Sequence, residues 1–260
     1  MAASYFTRED IDVLASTAAQ QTQVAYDKFT ELHKLLHRRM RDLSWDLHPN
    51  WGKHSVICGR SAASSSPIEG VTFPYLRSYE QARLVERLMG RDGATHPANL
   101  EISRHPVIEL RLTPDHFAVD FILSPSAWWD QRNLIGKLSV ARHREILRSL
   151  ILRMDGDYYF GFWEGIYLSD LHLTNRQLLR GSFLDEWIST FADGHDWLRV
   201  GVWYKLDDPA LAPNSIANEL IRRIGALYQL YHFLLWTSNN NFLSFYNGSI
   251  PLVPRRESRL

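Results

Sequence analysis

Two acids in this chain are spaced so that a hairpin would set them face to face. In VIELRLTPDHFAVDFIL, closing a turn at Thr113-Pro114-Asp115-His116 pairs Leu112 with Phe117, Leu110 with Val119 and Ile108 with Phe121. One face of the hairpin is then apolar throughout, which fixes the register. The other face carries Glu109 directly opposite Asp120, with Arg111 and Ala118 beside them. Like charges directly opposite repel, so something must neutralise them. A divalent cation such as Mg or Mn would make the pair a metal centre for phosphate-ester or nucleic-acid chemistry. A Glu-x-Lys nuclease core would have a lysine where Arg111 stands. Neutralisation by Arg111 is therefore the expectation, and the metal enzyme is the alternative.

A second set of candidates comes from two stretches that resemble each other, DGDYYFGFWEGIYLSD from Asp155 and DGHDWLRVGVWYKLDD from Asp193. Each opens on Asp-Gly, a turn signal, and runs through an alternating aromatic strand to Gly-x-Trp. In both, one face is apolar. The other presents Tyr159, Gly161 and Trp163 in one stretch and Arg199, Gly201 and Trp203 in the other. Glycine inside a strand marks a close approach by a backbone or a ligand. Trp163 and Trp203 flanking that gap, with Tyr159, Arg199 and Arg111 near, would make a stacking platform for a small molecule. The competing reading has a helix packed over the glycines. The acids Asp155 and Asp157, with His195, could hold a divalent metal only if the two strands run parallel and bring their heads together. His48, His54 and Cys58 offer three further ligands, at spacing that matches no known metal motif.

No nucleophile elbow, P-loop or dinucleotide-binding glycine motif occurs. The basic and acidic residues balance at 29 each, so no net field draws nucleic acid or an anionic surface. Of the 29 basic residues 24 are arginine, the side chain suited to bidentate pairing and ring stacking. Nine tryptophans add to the residue types that dominate interface energetics. The single cysteine, Cys58, excludes an internal disulfide. With an N-terminus lacking an apolar run, this gives the expectation of a cytoplasmic protein. The most apolar window, Ile224 to Trp236, is too short to span a bilayer and carries Gln229 and His232.

The elements that would position these residues follow from periodicity. Thr7 with Asp10 reads as an N-cap pair, and Ile11, Leu14, Ala18, Ala25, Phe29, Leu32, Leu36, Met40 and Leu43 recur at helical spacing. Residues 1–46 therefore form a long helical segment, which either projects to meet a partner or breaks near Gln20-Gln21 and packs on the body. A Ser-rich loop, GRSAASSSPIEG, precedes a short helix over Ser78 to Met89 that Gly90 stops. Trp128 to Met154 reads as helix interrupted near Gly136, and Phe183 to Phe191 as another. The last helix starts at Pro213-Asn214-Ser215, and residues 250–260 form a loose tail. Hairpins dominate and no linker divides the chain. The expectation is one α+β domain over 1–260, with an antiparallel sheet of about five or six strands against helices, framed by long N- and C-terminal helices. The function expected is non-catalytic binding, an accessory protein that docks on a protein or nucleoprotein partner through helical and Trp/Arg-rich surfaces. Self-association is a further option. The alternatives are the metal-dependent enzyme, using Glu109, Asp120, Asp155, Asp157 and His195, and a small-molecule sensor with the aromatic platform.

Overall fold

The hairpin centred on Thr113 forms in the expected register, with Leu112 opposite Phe117, Leu110 opposite Val119 and Glu109 opposite Asp120. The computed structural model describes residues 4–7, 10, 19–49, 51, 71–91, 100–155, 157–164 and 172–242. In chain order these give α1 (Ala19–Asp42), β1 (His48–Pro49), β2 (Val71–Leu76), α2 (Tyr79–Leu88), β3 (Val107–Leu112) and β4 (His116–Leu123). There follow α3 (Trp128–Leu138), α4 (Ala141–Arg153), β5 (Tyr159–Glu164), β6 (Leu173–Thr174), α5 (Asn175–Leu178), α6 (Phe183–Ser189), β7 (Asp196–Lys205) and α7 (Ile216–Leu234).

The strands make one seven-stranded sheet in the order β1-β2-β3-β4-β7-β5-β6, with every neighbouring pair antiparallel. The fold is α+β, as the patterning implies. The strand count exceeds the expected five or six because β1 and β6 are two residues long, too short to show a period.

Alternation along the strands sends Phe73, Tyr75, Leu110, Phe117, Phe121, Phe160, Val200 and Val202 into one core. The helices bring Phe29, Leu32, Leu36 and Met40 from α1 and Leu220, Ile224, Leu227 and Tyr231 from α7 into the same cluster. The described part of the first helix therefore packs on the body and does not project. The Thr7–Asp10 pair is formed, with Thr7 N–H donating to Asp10 at 2.6 Å. Residues 11–18, His54, Cys58, the Ser-rich loop over 59–70 and the tail over 250–260 lie outside the described residues.

Ser78 caps α2, accepting from Gln81 N–H at 3.3 Å, and Gly90 leaves the helix at φ +78°. The break between α3 and α4 falls at Ser139 and Val140. Gly136 is inside α3, where the Phe242 ring occupies the space a side chain would need.

Three polar residues of α3 hold the end of α7. Asn133 donates to Leu234 O at 2.9 Å, Lys137 donates to Phe233 O, and Asp130 accepts from Trp236 N–H at 2.7 Å. Carbonyls of a last helical turn lack intrahelical donors, and Asn133 and Lys137 supply them. Asp130 also pairs with Arg77 at the end of β2, both fully buried. Among the described residues no helix is long and apolar enough to cross a membrane.

Candidate functional site

The sheet has a second face, turned away from the α1–α7 core, and Glu109, Arg111, Asp120, Tyr159, Arg199 and Trp203 of the sequence-predicted residues converge on it. Because β7 lies between β4 and β5, Asp120 pairs with Gly201, and Gly201 pairs in turn with Tyr159. The hairpin acids and the Trp/Arg residues, which read as two separate candidate sites, are thus one cluster.

Asp120 is its centre. Arg199 donates to Asp120 Oδ2 at 2.6 Å and Arg111 to the same oxygen at 3.1 Å. The Trp203 indole N–H donates to Oδ1 at 3.0 Å. Asp120 and Glu109 are fully buried, and both arginines nearly so. The expected neutralisation by Arg111 is present, with Arg199 as the nearer second partner. Burial lowers the Arg199 pKa, an effect that Asp120 opposes. The guanidinium groups stand where a metal would be needed to reconcile the facing carboxylates. A donor set with all of Asp120's bonds going to N–H groups does not fit Mg or Mn. Among the described residues no three His, Cys, Asp or Glu side chains gather as a metal site.

The glycine gaps have occupants from this chain. A Cβ at Gly201 would collide with Asp120 Oδ1, so that glycine makes room for the carboxylate. A Cβ at Gly161 would fall 2.6 Å from the His172 ring. Neither a helix nor an outside molecule is needed to explain either glycine. Trp203 stacks on Tyr159 at 5.0 Å, meets His172 edge-on at 5.0 Å and lies 4.5 Å from the Arg199 guanidinium. Trp203, Tyr159, Arg199 and Arg111 are brought together as expected, but they pack on each other.

Trp163 is not among them. Its backbone pairs with Trp197, at the opposite end of the β5–β7 ladder from Trp203. The equivalence of the two Gly-x-Trp segments holds only for strands laid side by side in one direction. Antiparallel pairing sends the two tryptophans to opposite ends.

The same antiparallel order separates the acids that head the two stretches. Asp155 and Asp157 meet α7, where Arg222 pairs with Asp155, and Arg223 approaches Asp157 at 2.6 Å and Asp155 at 3.5 Å. Arg223 is buried, donating also to Glu219 at 2.8 Å and to the Tyr204 hydroxyl at 2.7 Å. Its charge-rich neighbourhood raises its pKa further against the effect of burial. Of the Arg222-Arg223 pair on α7, Arg223 is buried and Arg222 is about half exposed. Asp193, on the other stretch, pairs with Arg132 at 2.9 Å, and His195 is exposed.

Among the described residues, exposed large apolar side chains include Val24, Leu35 and Leu43 along and just after α1, Leu88 of α2 and Trp128 of α3, and a further set on α4 and α6. On α4, Leu152 is 71% exposed and Ile146 39%, and Phe183 at the start of α6 is 54% exposed. Arg144 and Arg148 reach toward Asp185 at 3.9 and 3.7 Å, which holds the first turn of α6 alongside α4. Leu152 follows Arg148 by one turn on the same stripe, and Arg142 and Arg153 are exposed on the same helix.

Sequence reading missed two further features, the Asp130, Asn133 and Lys137 set and the buried Arg77. The first had a signal, three polar residues at helical spacing on a stripe that packs inward. No known protein family matches the chain, and no curated protein matches it.

Proposed function

We propose that this protein is a non-catalytic binding protein that docks on a protein partner through the outer face of α4 and the start of α6. The observation that carries the reading is the exposure of Leu152 and Phe183, which flank the approach of Arg148 on α4 to Asp185 on α6. Lone exposed apolar residues need no explanation, but a group of them rimmed by charge is the composition of a contact surface. Arginines 142 and 153 add the side chain enriched at energetic centres of interfaces. The sheet-face cluster supports the same reading indirectly. Its carboxylate, guanidinium and indole groups bond mainly to one another, as in a network that specifies the fold.

Affinity capture from the cells that make the protein tests this. Wild-type protein should recover a partner in fixed proportion. Leu152→Glu and Phe183→Glu should each reduce recovery roughly tenfold or more, with thermal stability unchanged. Equal recovery by folded variants and wild type would remove the α4–α6 face from the account.

A further inference from the structure

A cleft of about 360 Å³ lies between the start of α4 and the last turns of α7. That volume is at the lower end of small-molecule sites. Its charge has one sign. Lys137 and Arg142 line it, with His143 and His232, and no aspartate or glutamate is among the described lining residues. The Lys137 ammonium is fixed in the wall, donating to Phe233 O and to Asn240 Oδ1 and lying 4.9 Å from the Phe233 ring centre. Arg142, by contrast, is exposed.

The two cations act on the same place. Burial is the first reason that the His143 pKa is lowered, and the charges of Lys137 and Arg142 both push it further down. Burial lowers the Lys137 pKa to about 8, which still leaves the ammonium charged at neutral pH. α4 begins here with no side-chain cap at Val140 and no acid in its first turn, so the helix dipole adds to the positive field. The one acid of α4, Glu145, is exposed and is not among the described lining residues. Further along, Ile146, Leu150 and Phe233 make the wall apolar. Ile146 follows Arg142 by one helical turn and Leu150 by two, about 12 Å along the axis. The cleft thus has a positive end and an apolar end.

We infer that this cleft binds a small organic anion, its head group against Arg142 with the Lys137 charge behind it and its apolar body along Ile146, Leu150 and Phe233. A carboxylate or a phosphate monoester on an aryl or short alkyl body has this chemistry. An organic cation does not, because it would meet two like charges with no carboxylate among the described lining residues. The cleft faces α7 rather than α6 and does not rest on the docking reading.

Calorimetric titration of the full chain with benzoate and phenyl phosphate tests the inference, with benzyl alcohol, benzamidine and acetate as the neutral, cationic and bodiless controls. At least one aryl anion should bind and raise the melting temperature, and the tighter of the two names the head group. The three controls should bind at least about tenfold more weakly. Arg142→Glu reverses the exposed charge and should weaken the anion at least about tenfold. It also places an acid in the first turn of α4, so the melting temperature of the free protein should be unchanged or higher. Ile146→Ser is the second variant and should weaken the anion severalfold. No binding of either aryl anion, equally tight binding of benzamidine or benzyl alcohol, acetate equal to benzoate, or wild-type affinity in either variant would each overturn the inference.

Discussion

Gly201 shows how one residue's role depends on a neighbour far away in sequence. Its hydrogen atom faces the Asp120 carboxylate, which two arginines and an indole hold in place. A methyl group there must push the carboxylate off its donors or spread β4 from β7. Overpacking a core costs about 1–3 kcal/mol, and breaking a buried ion pair about 3–5 kcal/mol. Gly201→Ala should therefore destabilise by about 3 kcal/mol in urea unfolding. A loss under about 1 kcal/mol would mean that the network is loose enough to shift. The sequence made Glu109, Arg111 and Asp120 legible as one face, because they sit on a hairpin whose register is local. It did not reveal that Arg199 completes the set. That requires β7 to insert between β4 and β5, which is a property of chain topology.

Among the elements, those with a clear period and local punctuation were readable. The β3–β4 hairpin, α2 with its Ser78 cap and α7 behind Ser215 all fall where periodicity and caps place them. β2 was not read as a strand because Pro74 interrupts its run. In the structure Pro74 pairs with Glu109 of β3, and among the described residues β1 meets β2 at Tyr75 and Leu76. Whether α1 projects was open in the sequence, since an apolar stripe fits either a partner or the chain's own core. Phe29, Leu32, Leu36 and Met40 settle it for the described part by entering the core with α7 and the sheet.

One contact of α1 makes its packing sensitive to acid. The His33 ring stacks on Phe73 at 4.4 Å, with Nδ1 3.2 Å from the Tyr75 hydroxyl. Burial, helped by the neighbouring His37, lowers its pKa to about 4. The folded state thus keeps His33 neutral while the unfolded chain protonates it near its ordinary value. Below that value the unfolded state binds the extra proton, so this contribution to stability is full above about pH 6.5 and is lost as pH falls toward 4. His33→Gln should flatten the fall in melting temperature between pH 6.5 and 4 relative to wild type. Parallel profiles for the two proteins would show that His33 titrates normally in the fold.

For the whole molecule, the arrangement divides work between its sides. One sheet face is spent on the helical core, and the centre of the other on a charged network bonded largely within itself. Leu152 and Phe183 are exposed where α4 and α6 turn outward, as Val24, Leu35 and Leu43 are along and just after α1. The arginines of α4 were visible in the sequence. Their company was not, because exposure of Leu152 and Phe183 is decided by which helical stripe α7 and the sheet cover. The account stands on this face making contact with a partner. The most direct measurement is photo-crosslinking in the native cell from a benzophenone side chain at Leu152, with one at exposed Lys205 at the far end of β7 as control. A discrete adduct from position 152 and none from 205 is the expected result. No adduct from 152, or the same adducts from both positions, would contradict docking through α4 and α6.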